Sequence, residues 1–156
     1  MNEPHGILVA ANSGISIRSS EDIVENAGAT SPTALWLDNL KPGGRLIVPL
    51  TISLGPNSMG SGMVLKVRRG DSGYTANFIA PIMIYHCFGS RDEEANSRVR
   101  TMMMQGKWKA VQSLRRDEHE ISDSCCLHGD RICLSSLVPG APGENAGRAD
   151  DQEEIL

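Results

Sequence analysis

The sequence predicts an α/β domain whose sheet is mostly parallel and closes with an antiparallel hairpin. Three observations predict it. Short apolar runs, such as Gly6 to Ala11 and Arg45 to Leu50, lie against clusters of Gly, Pro, Asn or Ser, which reads as buried strands bounded by turns. A helix-start signal, Thr30-Ser31-Pro32, falls between these two runs. Two further apolar runs flank the turn cluster Gly70-Asp71-Ser72-Gly73, the pattern of a hairpin.

Taken in order, Gly6 to Ala11 is a strand closed by Asn12-Ser13-Gly14, and Asp22-Ile23-Val24 is a second, weaker strand running into Asn26-Ala27-Gly28-Ala29. Ser31 can accept from the orphan N–H groups of a helix start, and Pro32 suits the first helical position. That helix carries Ala34, Leu35, Leu37 and Leu40 and must end near Lys41-Pro42-Gly43-Gly44, since a residue before proline avoids helical geometry. Leu46, Ile47, Val48 and Leu50 show no alternation, as in a strand buried on both faces. Met63 to Arg69 and Tyr74 to Tyr85 form the hairpin. Pro81 sets part of the second strand at an edge or bulge, because it has no N–H for a ladder.

Ser90-x-x-Glu93 reads as a capping box, with Asp92, Glu93 and Glu94 at the positive end of the helix dipole. Ala95, Val99, Met102 and Met103 share one face, and Gly106 ends the helix. Trp108 to Leu114 is read as a last strand, and from Val138 the chain is acidic, poor in apolar residues and expected to be disordered.

The chain has 156 residues, 15 Lys+Arg against 19 Asp+Glu, a net charge of −4 and 4% aromatic residues. That balance excludes a generally basic nucleic-acid binder. The ten Lys/Arg between Lys66 and Arg116, against four acids, read as a solvated face, with few aromatic residues to stack bases. No apolar run approaches the roughly 18 residues of a membrane span, and no secretory signal is expected at the N-terminus. Four cysteines are too few for a disulfide scaffold, so the expected setting is the reducing cytoplasm.

Asn26 to Thr51, with Leu40-Lys-Pro-Gly-Gly-Arg-Leu46 and Pro49 inside the following strand, resembles the central region of S-adenosylmethionine-dependent methyltransferases. It is most similar to the protein-L-isoaspartate O-methyltransferase family. The resemblance implies part of a Rossmann-like methyltransferase sheet. It implies S-adenosylmethionine as cofactor and a protein or peptide bearing isoaspartate as methyl acceptor. It implies that Asn26, Ala27, Gly28 and Ala29 line the cofactor cleft after the family's fourth strand, with Asn12 near the adenine. In open α/β sheets that region, outside the carboxyl ends of the strands, is where ligands sit.

The departures are specific. The family's acidic residue and Gly-x-Gly loop after its first strand have no counterpart before Gly6, and neither does its substrate-side serine. Glu25 interrupts what should be an apolar strand. The chain is therefore read as the C-terminal part of such an enzyme: a partial methyltransferase-like domain over 1–116, a Cys/His-containing extension over 117–137 and an acidic tail over 138–156. Weak or absent cofactor binding by the isolated chain and pairing through an uncovered sheet edge, as a homodimer, are expected. The alternative is a non-catalytic interaction module using the Met face or the Cys-rich segment.

His119, Cys125, Cys126, His128 and Cys133 fall within fifteen positions. Cys and His are tetrahedral zinc ligands, so Cys125, His128, Cys133 and His119 form a conceivable set, with Cys87 as a further candidate. There is no Cys-x-x-Cys pair. The plainer reading, small buried hydrophobes, is adopted, and no metal is expected. A thiol nucleophile at Cys126 beside His128 lacks an orienting third group.

Overall fold

The structure is a computed structural model that describes residues 7–10, 20–53, 59–87 and 91–141. In chain order it contains β1 (Ile7–Ala10), β2 (Ser20–Glu25), α1 (Ala34–Asp38), β3 (Leu40–Ser53), β4 (Met59–Gly70), β5 (Gly73–Tyr85) and α2 (Glu93–Met104). A 3-10 turn (Lys107–Ala110) and β6 (Ser113–Arg115), β7 (Cys125–His128) and β8 (Cys133–Ser135) follow. All the strands join one sheet in the order β1-β2-β3-β4-β5-β6-β8-β7.

This sheet corrects the expected fold class. Only β1–β2 and β2–β3 are parallel. The pairs β3–β4, β4–β5, β5–β6, β6–β8 and β7–β8 are all antiparallel. The described residues thus form a mixed, mainly antiparallel sheet with two α-helices, not a mostly parallel Rossmann-like one. The physical reason is chain length between strands. Positions 54–58 alone separate β3 from β4, and a parallel return needs a crossover of a dozen or more residues.

β3 is the central strand. Leu46, Val48 and Leu50 are fully buried and Ile47 partly so, as a run without alternation requires. Its first residues do not follow the ladder of β2. Ser20 pairs with Leu40 but Asp22 with Arg45, so Lys41-Pro42-Gly43-Gly44 bulges outward. Gly43 takes a positive φ of 79° there, and a side chain at Gly44 would meet the Glu21 carbonyl oxygen at 2.5 Å.

The expected helix over Ser31 to Leu40 shortens to α1. Its N-cap is Thr33, whose hydroxyl accepts from the Trp36 N–H at 3.3 Å, and Leu40 already belongs to β3. Trp36 and Leu37 are fully buried. The hairpin is β4–β5, joined at Asp71-Ser72. A bulge leaves Ile79 unmatched, since Val64 faces Ala80 and Leu65 faces Phe78. Pro81 lies just beyond it, in a stretch of β5 whose far side β6 does not reach.

In α2 the N-cap is Asp92, accepting from the Ala95 N–H at 2.8 Å, with Glu93 and Glu94 in the first turn. Ser90 lies outside the described residues. Val99 and Met102 enter the core, so the Met face is packing, and only Met104 of that run is strongly exposed. Gln105 is the C-cap and Gly106 follows at φ 69°. The expected strand Trp108 to Leu114 is replaced by the 3-10 turn and β6, and the Cys-rich segment adds β7 and β8 to the same sheet. Among the described residues no helix is long and apolar enough to cross a membrane.

Candidate functional site

Among the described residues, two places hold chemistry. The first follows β2. Of the residues named from the sequence, Asn12 lies outside the described residues, Asn26 is exposed and Ala27 half-buried, and Gly28 and Ala29 are buried. The chain here folds against β3 and the end of β5. Gly28 N–H donates to the Tyr85 carbonyl at 2.6 Å, and Cys87 N–H donates to the Gly28 carbonyl at 2.8 Å. Ala29 N–H donates to the Pro49 carbonyl, and its own carbonyl accepts from Thr51 N–H, both at 2.9 Å. A Cβ at Gly28 would collide with the Thr51 hydroxyl. The missing side chain therefore serves the approach of chain to chain, and Asn26 and Ala27 are the two of the four left open.

Arg91 seals this segment. Its guanidinium donates to the Gly28 carbonyl (3.1 Å), the Thr51 hydroxyl (2.9 Å), the Thr51 carbonyl (2.9 Å) and Asn96 Oδ1 (3.0 Å). Burial pulls its pKa down from the usual value. The sequence reading missed Arg91, because nothing in its spacing marks a residue that reaches back across the fold. Beneath the segment, Glu25 is 2% exposed. The Ala27 N–H donates to its Oε1 at 3.0 Å, while Oε2 has no partner. Burial raises its pKa above the usual carboxylate value, against hydrogen bonds from Ala27, Cys87 and Asn26.

From Thr30 onward a cleft of about 440 Å³ opens. Thr30 to Ala34 line one side, and Asp92, Ala95 and Arg98 of the α2 region, with Leu127 and residues 129–132 around the β7–β8 turn, line the others. Arg98 is held by Glu94 at 2.6 Å and Asp130 at 3.4 Å. Arg131 is exposed at the rim.

The second place is the β7–β8 hairpin. Cys125 and His128 come from β7, Cys133 faces His128 across the ladder, and the turn is closed by Gly129 N–H to the Ile132 carbonyl. His119 enters from the loop after β6. The candidate ligand atoms of His119, Cys125, His128 and Cys133 all lie within 4.8 Å of one another. Cys125 Sγ is 3.6 Å from His119 Nε2. His119 Nδ1 lies 3.0 Å from the Asp117 carbonyl, and Asp117 is itself gripped by Arg115 through two hydrogen bonds.

Burial disfavours the charged form of Cys125. Hydrogen bonds from the Ser122 N–H, His119, Cys133 and the Ser122 hydroxyl overcome it and bring the thiol down to about 6. Cys133 moves the other way, pushed up by burial and then by its hydrogen bond to Cys125 and that neighbour's charge. Cys126 belongs to the hydrophobic core and burial raises its thiol, so it is no nucleophile beside His128. Cys87 lies by Glu25 and Arg91 and is not part of the cluster.

Compared with known proteins, the chain matches no protein-family model, and no curated protein matches it.

Proposed function

We propose that this chain supplies the acceptor side of an S-adenosylmethionine-dependent methyltransferase of the protein-L-isoaspartate type. The observation that carries the reading is the cleft at Thr30, which opens where the Asn26–Ala29 segment leaves the parallel strands β2 and β3. The resemblance over Asn26 to Thr51 stands beside it. When bound, S-adenosylmethionine would supply a sulfonium methyl: a carboxylate oxygen would bond to the methyl carbon as its bond to sulfur breaks, giving a methyl ester with S-adenosylhomocysteine as the leaving group.

This chain's own residues frame the acceptor. Arg131, exposed at the rim, is the cation this chain offers to an anionic side chain such as the isoaspartyl carboxylate, since Arg98 is already paired with Glu94 and Asp130. Methyl transfer chiefly requires a carboxylate held in line with the methyl group and shielded from bulk water. Gly28 and Ala29 do not fit the cofactor role implied for them, since their backbone groups bond β3, β5 and Arg91. Asn26 and Ala27 are what remains for it. A reducing compartment such as the cytoplasm suits four cysteines that form no disulfide. The test is incubation of the chain with an isoaspartyl peptide and S-adenosylmethionine, read by peptide mass. A gain of one methyl that Arg131→Glu suppresses supports the reading, and an unchanged peptide mass refutes catalysis by this chain.

One observation favours the second reading, an interaction module that dimerises. Ile79, Met83 and Tyr85 are 51%, 62% and 66% exposed along one stretch of β5. An exposed apolar strand of that kind invites pairing. Concentration-dependent mass in light scattering, lost in Met83→Lys, is its expected signature.

A further inference from the structure

We propose that His119, Cys125, His128 and Cys133 bind one zinc ion that staples the β7–β8 hairpin to the loop after β6. The argument starts from geometry. Zinc takes sulfur at about 2.3 Å and imidazole nitrogen at about 2.0–2.1 Å, so the edges of a four-ligand tetrahedron run to roughly 3.3–3.8 Å. The Cys125–His119 edge is 3.6 Å, and the longest separation in the set, at most 4.8 Å, closes with a shift of about an ångström.

Topology explains how four ligands meet. A hairpin holds Cys125 and His128 three positions apart on one strand and Cys133 on the returning strand. Strand alternation turns Cys126 into the core, and the bulge between Cys125 and Leu127 brings Cys125 onto the face of His128, which their odd spacing would otherwise oppose. Adjacent cysteines thus divide their roles between ligand and packing.

The surroundings match those of a metal ligand. A ligating histidine usually donates its second ring nitrogen to a carbonyl or carboxylate. His119 Nδ1 lies 3.0 Å from the Asp117 carbonyl, which leaves Nε2 toward Cys125. His128 Nδ1 is buried without a hydrogen-bond partner, a cost that an ion in the cluster relieves. His119 and His128 meet edge to face with centroids 4.9 Å apart, so neither ring blocks the centre. A cleft of about 370 Å³ lined by His119, His128 and Cys133 gives the ion a way in.

The donor set selects the metal class. Two thiolates and two imidazoles in tetrahedral array suit zinc, and four protein ligands leave no open position, so the site is structural rather than catalytic. The two thiolates neutralise the ion, so the half-buried cluster carries no net charge.

The test uses the whole chain, reduced, freed of metal and titrated anaerobically with Co²⁺ alone. The expected result is a thiolate-to-cobalt charge-transfer band with tetrahedral visible bands, saturating at one equivalent and bleached by one equivalent of Zn²⁺. Cys133→Ser and His119→Ala should each weaken binding by more than the roughly 10–100-fold that loss of an outer-shell partner costs. Cys126→Ser and Cys87→Ser should leave the spectrum unchanged. Where Cys133→Ser fails to fold, His119→Ala in the loop decides. A folded chain that takes up no cobalt overturns the proposal, as does a tetrahedral spectrum that survives both ligand variants.

Discussion

Gly28 shows how a single residue can be chosen for what it lacks. Its Cα lies so close to the Thr51 side chain that a methyl group cannot be added without displacement. Overpacking of this kind typically costs about 1–3 kcal/mol, and urea denaturation of Gly28→Ala should show a loss in that range. Gly43 is the contrast. A side chain there meets nothing within 4 Å, and only its φ of 79° resists substitution. Glu25 makes the complementary point about charge. Its pKa is raised in the folded state, chiefly by burial. The sign follows from linkage: the group favours folding fully below its unfolded value of 4.5, and that contribution is lost as pH rises through the higher folded value. Glu25→Gln, which keeps an acceptor for Ala27, should therefore match the wild type in melting temperature near pH 4 and exceed it at pH 7. A difference that does not vary with pH would contradict this.

At the scale of elements, caps and bulges decide where each segment stops. Asp92 caps α2 through a 2.8 Å bond to the Ala95 N–H. Asp92→Ala should cost about 1 kcal/mol, read as a lower denaturation midpoint. The acidic start of this helix, its buried Val99 and Met102 and its stop at Gly106 were legible in the sequence, because dipole, period and left-handed glycine are local properties. The cap was placed two residues early, at Ser90, because serine and aspartate both satisfy the same donors. The strand of Arg45 to Leu50 and the hairpin were legible for the same reason. β7 and β8 were not. They are four and three residues long, too short for a period, and much of their buried surface is cysteine. The Cys/His set was visible as a list, but only the hairpin bulge puts Cys125 on the same face as His128.

For the whole molecule, the direction of strand pairing lay beyond a reading of separate segments. Ending one strand at Leu50 and starting the next at Met63 overstated the gap between them. The true elements reach Ser53 and Met59, and so short a link forces an antiparallel return. The sheet that results keeps β1, β2 and β3 parallel on one side, where the cleft at Thr30 opens. Toward the other end of the strand order it places β7 and β8 with the Cys/His cluster. Residues 129–132 border both places, so the zinc staple and the cleft share a wall. The most direct test of the central claim is titration calorimetry of the folded chain with S-adenosylhomocysteine. Catalysis by this chain alone requires saturable binding in the micromolar range, reduced by substitutions at Asn26. No heat at millimolar ligand, from protein shown to be folded, would contradict it.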